Sequence, residues 1–208
     1  MKRLLTLSFT AFLFLLPAVT QLHGQSDAAA EKNVKYQKDC DAGDAESCNK
    51  LAVRYQFGLG VNESDAQATA LYSKADELYR KRCDGGEAAG CTNLGTHYQI
   101  GLGVAKDLEH AVALYRQGCD GGDAHGCTLL GAMFIEGLGL AQDKDRAVVL
   151  YRQGCDGGDG NGCIRLGKMF EDGDGVTQDK AQALALYRKG CDAADREGCY
   201  WLKKLTPK

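Results

Sequence analysis

Ten cysteines form five pairs of a single spacing, C-x7-C: Cys40/Cys48, Cys83/Cys91, Cys119/Cys127, Cys155/Cys163 and Cys191/Cys199. An even set of periodic cysteines in an exported chain reads as disulfides. Other chemistry is thinly supplied. A serine can be activated in Ser-x-x-Lys, where the lysine lies one helical turn on and takes the proton. The chain has one such match, Ser47-Cys48-Asn49-Lys50, and neither S-D-N nor K-T-G accompanies it. No H-E-x-x-H, C-x-x-C or C-x-x-C-H occurs, so no zinc site and no other cofactor is expected. Gly-Leu-Gly at 58–60, 101–103 and 137–139 lacks the preceding strand and the Gly-Lys-Ser/Thr of a phosphate loop. Acidic pairs such as Asp143 with Asp145 read as helix caps and solvated faces.

The elements that must position these residues are written into the spacing. The last four pairs recur every 36 residues, a period that marks a solenoid. In the segment from Asp107 to Gly122, Ala111, Leu114, Tyr115 and Cys119 share one helical face. Asp107 is an N-cap, and Asp143 and Asp179 repeat it. Gly122 suits the left-handed residue that ends a helix, and Asp123 caps the next one. That second helix buries Cys127, Leu130, Gly131 and Phe134, and Gly131 lets a neighbouring helix approach closely. Gly137-Leu138-Gly139 turns the chain back. Each unit is two short antiparallel helices, with one cysteine at the end of the first and the other one turn into the second. The bridges are therefore local, one among about 900 pairings that ten cysteines allow. The loops they close are each worth about 2–3 kcal/mol in a chain-entropy account.

The first unit departs from the period. Cys40 to Cys83 is 43 residues, seven more than the repeat, and Ala70-Leu71-Tyr72 is echoed by Glu77-Leu78-Tyr79. Seven residues are about two helical turns, which predicts one helix lengthened in phase. Glu31 to Cys40 and Gly198 to Leu205 supply half units at the ends, and Trp201 with the lysines after it caps the stack. Residues 1–24 read as a signal peptide: Lys2 and Arg3, an apolar run from Leu4 to Leu16, then Pro17, with cleavage after Thr20 or Gly24. The run is too short to cross a bilayer. No cysteine precedes Cys40, so no lipid anchor is expected, and the mature protein (25–208) is expected to be secreted or periplasmic, without a stable membrane anchor. Without Lys2 and Arg3, 28 acidic residues face 23 basic ones, a net charge of −5, and no basic run exists. Nucleic acid is an unfavourable partner for such a chain.

The pattern at Leu94-Gly95, Tyr98, Gly101, Gly103-Val104, Asp107, Ala111 and Leu114-Tyr115-Arg116 resembles the Sel-1-like repeat family. Paired cysteines in every unit resemble its cysteine-rich, Hcp-type branch. The resemblance covers nearly the whole mature chain. It implies an all-α fold, an α/α solenoid of TPR-like antiparallel hairpins with a disulfide in each, secreted or periplasmic. It also implies weak β-lactamase or penicillin-binding activity and peptidoglycan-like ligands. A mitochondrial intermembrane-space branch fits the bacterial-type leader less well.

Helix phase suggests where a ligand would sit. In a curved stack one set of helices lines the concave side, and Lys50 with Arg54, Asn93 with His97, Leu129 with Met133 and Arg165 with Met169 lie one turn apart on those helices. The column of Arg54, His97, Met133 and Met169 has two readings, packing between units or facing that groove. His110 and His125 replace ordinary surface residues of the repeat. Lys50, Arg54, Asn93, His97, Met133 and Arg165 are the candidate ligand-binding set. Arginine forks onto carboxylates, so the expected partner is a protein, an acidic peptide or a muropeptide, bound by a monomeric scaffold. The alternative is the β-lactamase-like enzyme.

Overall fold

The computed structural model describes residues 16–193 and 195–205. Ten α-helices and no strand occur among the described residues: α1 (Leu16–Asp41), α2 (Ala45–Gln56), α3 (Asp65–Asp84), α4 (Ala88–Ile100), α5 (Leu108–Asp120), α6 (Ala124–Glu136), α7 (Lys144–Asp156), α8 (Gly160–Asp172), α9 (Lys180–Asp192) and α10 (Arg196–Leu205). The odd-numbered helices carry the first cysteine of a pair in their last turn and are called A helices; the even-numbered B helices carry the second. Two compact units divide at Leu71/Tyr72, inside α3.

Local chemistry sets the helix ends. Asp107 and Asp143 accept the backbone N–H three residues on, at 2.9 Å each, and Asp179 accepts from Ala181 and Gln182. Asp44, Asp123 and Asp159 cap B helices in the same way. At α4 the equivalent residue is Glu87, whose side chain makes no capping bond. Its extra methylene carries the carboxylate past the amides that an aspartate reaches. The lengthened helix is present: α3 has 20 residues where α5, α7 and α9 have 13.

The five bridges are the local ones: Cys40–Cys48, Cys83–Cys91, Cys119–Cys127, Cys155–Cys163 and Cys191–Cys199, with Cα–Cα distances of 4.4 to 4.7 Å. In the second unit successive hairpins share a core of Ala111, Tyr115, Leu130, Phe134, Ala147, Tyr151, Leu166 and their neighbours. The B helices α4, α6 and α8 each meet the following A helix through a glycine. A Cβ on Gly131 would lie 2.8 Å from the Tyr151 ring, and Gly95 and Gly167 stand in the same relation to Tyr115 and Tyr187. The missing side chain is what lets the tyrosine ring lie on the helix backbone. Trp201 closes the C-terminal end, 6.1 Å from Tyr187 and nearly parallel to it, with the Lys168 and Lys204 ammonium groups 4.9 and 4.4 Å from its ring centre.

In the first unit α1 packs on α2. Residues 1–15 of the expected leader lie outside the described residues, and α1 runs through both candidate cleavage positions. Among the described residues no helix is long and apolar enough to cross a membrane.

Candidate functional site

The six residues selected from helix phase differ in exposure and divide between the two units. In the first unit Lys50 is exposed and bound to Glu46 at 3.1 Å. Arg54 is half-buried and clamps α2 to α1, its guanidinium donating to Asn33 Oδ1 and to the Ala29 carbonyl. In the second unit Asn93 is half-buried and Arg165 is exposed, donating to Asn161 at 2.7 Å. His97 and Met133 are buried, with 2 % and 1 % of their surface accessible. They present nothing to a ligand, and the packing reading holds for that column in this unit. The residue one turn beyond the half-buried Asn93 and Leu129 is covered by packing, which an isolated helix cannot reveal.

The cysteines are structural rather than part of a binding or reactive surface. All are bridged, so no thiol is left to act as a nucleophile or a metal ligand. Cys91 and Cys163, the B-helix members of their pairs, are buried beneath their own hairpins. Cys199 on α10 is exposed, because no described helix follows α10 to cover it. Cys155 alone of the ten borders one of the concavities described below.

The Ser-x-x-Lys match is not assembled either. Ser47 is 4 % accessible. The hydrogen bond and charge of Glu46 push the Lys50 ammonium up from its ordinary value. A general base must be neutral, so that shift is in the wrong direction.

His97 finds a partner the sequence reading missed. Its Nδ1 lies 2.5 Å from Asp76 Oδ1, and the two side chains are 2 % and 5 % accessible. The Tyr72 and Tyr79 rings meet the imidazole edge-on at 5.9 and 5.4 Å. His97 Nε2 and Asp76 Oδ2 have no hydrogen-bond partner among the described residues. Counting back from the first cysteine of each pair, Asp76 occupies the column of Val112 and Val148, as His97 occupies that of Met133 and Met169. A buried polar pair therefore stands where the two following repeats place a valine and a methionine. The signal was an aspartate in a column that Val112, Val148 and Leu184 make apolar in the following repeats, visible once α3 is aligned on Cys83.

The accessible concavities lie mainly on the A-helix side. Successive B helices approach each other more closely than successive A helices do, as α4–α6 and α6–α8 show. The wider A-helix spacing leaves a slot between α5 and α7 of about 510 Å³, floored by Leu130 and Phe134 and rimmed by Arg116, Asp120, Asp145 and Arg146. Arg146 lies over the Phe134 ring at 5.6 Å. One repeat on, Arg152, Asp156, Leu166, Phe170, Gln182 and Ala185 line a smaller slot of about 190 Å³ between α7 and α9. One repeat earlier the same place is covered: Arg80 donates to the Tyr98 hydroxyl at 2.9 Å and His110 packs against the Tyr98 ring at 4.3 Å. In the first unit an open groove of about 690 Å³ runs between α1 and α2, past Val34, Leu51 and Tyr55. On the B-helix side, Arg165 and Lys168 border a cleft of only about 150 Å³.

One surface pair titrates. His125 Nδ1 is 3.6 Å from Asp159 Oδ2. The bond to Asp159 raises the imidazole pKa against the opposing effect of burial. Burial pushes Asp159 up, but the nearby His125 and Thr128 side chains leave it lowered overall. Among the described residues no group of three or more His, Cys, Asp or Glu side chains could hold a metal ion.

A stack of α-hairpins, each closed by its own disulfide, defines an all-α repeat solenoid. The Sel1 repeat matches at residues 45–75, 88–123, 124–159 and 160–195, and the chain belongs to that family. A protective antigen of uropathogenic Escherichia coli with an SLR fold is similar at 26 % identity and TM-score 0.58, over 85 % of this chain and 44 % of that one. This chain therefore spans less than half of that antigen's length. A Sel1 repeat protein from Oxalobacter formigenes shares the fold at 24 % identity and TM-score 0.58, over 84 % of this chain and 74 % of that one. Helicobacter pylori cysteine rich protein B is similar at 25 % identity and TM-score 0.54, over 67 % of this chain and all of that one. No curated protein matches the chain.

Proposed function

We propose that this protein is an exported, disulfide-stapled Sel1-repeat scaffold that binds a protein or a peptide, including the peptide part of peptidoglycan. The observation that carries the reading is the open slot between α5 and α7. Its apolar floor is rimmed by two arginines and two aspartates, chemistry that suits a peptide better than a small charged metabolite. Five local disulfides support an oxidising compartment, with residues 1–24 as the leader. Asn93 and Arg165 offer a second, smaller contact surface on the B-helix side. Titrating the oxidised, isotope-labelled full chain with a random peptide array and with muropeptides tests the proposal. Saturable shifts confined to one face support it, and silence with both ligand sets overturns it.

The β-lactamase-like alternative rests on the resemblance to the Hcp-type branch. Turnover of a chromogenic β-lactam by the oxidised protein that Ser47→Ala abolishes would establish it.

A further inference from the structure

The five bridges differ in how far solvent reaches them. In Cys40–Cys48, Cys83–Cys91 and Cys155–Cys163 both residues are at most 4 % accessible. In Cys119–Cys127 the first residue is half-buried and the second 5 % accessible. In Cys191–Cys199 the first is half-buried and the second exposed. The helix that carries Cys199 is also the least secured. With 10 residues α10 is the shortest described helix, and it packs on α9 and α8 alone. A helix of that length is not stable in water by itself. Besides the bridge, its hold is Gly198 against the α9 backbone and Trp201, Leu202 and Leu205 against the core, with Trp201 nearly parallel to the Tyr187 ring.

We infer that the Cys191–Cys199 bridge is a thiol–disulfide exchange site for a dithiol reductant, and that opening it releases α10 with its Trp201 cap while the other four hairpins stay closed. In the resting protein every bridge is a staple and no thiol is free. A staple at the surface is still an electrophile toward a thiolate from outside. That thiolate attacks the Cys199 sulfur, forms a mixed disulfide there and expels the Cys191 thiolate, which takes up a proton. The second thiol of the reductant then attacks the reductant's own sulfur in the mixed disulfide. Cys199 leaves as a thiol, and the reductant departs with its two sulfurs joined. The protein gains two electrons and two protons, and the reductant loses them. A single thiol does not suffice, because Cys191 stays beside the mixed disulfide, its Cα 4.5 Å from that of Cys199 in the closed hairpin. It expels a monothiol and recloses the bridge. At the buried bridges the incoming sulfur has no approach, so exchange there waits for the hairpin to open. The exchange is independent of what the scaffold binds.

The test exposes the oxidised full chain to dithiothreitol, blocks free thiols with iodoacetamide at successive times and maps the blocked cysteines by peptide mass spectrometry. Trp201 is the single tryptophan of the chain, so its emission reports on α10 directly. Cys191 and Cys199 are expected to be blocked first, about tenfold or more ahead of any other pair. Cys119 with Cys127 should follow. The Trp201 emission should shift to the red together with the first event, while the far-UV helical signal falls only by the share of one short helix. Reduced glutathione at the same thiol concentration should leave the bridge closed. Cys191→Ser/Cys199→Ser should show the shifted emission without any reductant and keep its other four bridges. Blocking of all pairs at one rate, or of another pair first, overturns the inference. So does opening of Cys191–Cys199 with unchanged Trp201 emission, and equal opening by glutathione overturns the dithiol class.

Discussion

Replacing Asp76 and His97 together, and singly, measures what the buried pair does. The repeat supplies the controls, since Val112/Met133 and Val148/Met169 occupy the same two columns. Asp76→Val leaves a buried imidazole without its carboxylate, and His97→Met leaves a buried carboxylate alone; both side chains are at most 5 % accessible. Removing one partner of a buried pair costs about 3–5 kcal/mol. The double variant restores the apolar columns with side chains of similar volume, and such replacements are neutral or stabilising by about 1–4 kcal/mol. Each single change should therefore lower Tm by roughly 6–20 °C for a chain of this size, while the double variant melts at or above the parent. Urea unfolding followed by far-UV circular dichroism, with the disulfides kept oxidised, gives the four free energies of the cycle. Additive costs would refute the argument, because they would mean that the two groups do not compensate each other. A cost below about 1 kcal/mol for either single change would refute it too, placing the pair in the range of exposed ion pairs.

Three further expectations follow from the geometry. Glu87→Asp supplies the capping bond that α4 lacks and should stabilise the protein by about 0.5–1 kcal/mol; a lower urea midpoint would contradict that account. The His125–Asp159 contact should support folding in a window of pH. The raised His125 value makes its contribution full below the ordinary 6.5 and lost as pH rises through the folded value, while the lowered Asp159 value makes its contribution full above 3.8 and lost as pH falls. His125→Gln should flatten the stability profile on the alkaline side, and an unchanged profile would exclude the pair. Reduction of the five bridges removes about 2–3 kcal/mol each, which together matches the whole stability of a typical domain. The helical signal should therefore collapse in reductant, and a melt that reductant does not alter would show that the hairpins hold without their staples.

The fold was legible because its contacts are local. Cys83 meets Cys91, and Cys119 meets Cys127, across one glycine turn each. Asp107 caps its own helix, and the seven added residues of α3 keep phase because two turns return the chain to the same face. The candidate site was less so. Lys50 and Arg165 were placed at the surface by phase, and both are there, but His97 and Met133, one turn beyond Asn93 and Leu129, are covered. Phase tells which residues of a helix share a face, and it does not tell how much of that face another helix occupies.

From sequence alone came the repeat, the antiparallel hairpins, their caps and the cysteine pairing, because each depends on residues within one 36-residue period. Only the tertiary structure joined Asp76 on α3 to His97 on α4, because their contact depends on how the two arms of that hairpin are rotated against each other. It alone opened the slots beside Phe134 and Phe170, since these exist where A helices are spaced more widely than B helices. Helix spacing is a property of the stacked assembly: the glycine–tyrosine contacts at Gly95, Gly131 and Gly167 bring α4, α6 and α8 each close to the A helix that follows. How far apart that leaves successive A helices depends on side-chain volumes summed over several hairpins, which no single repeat encodes.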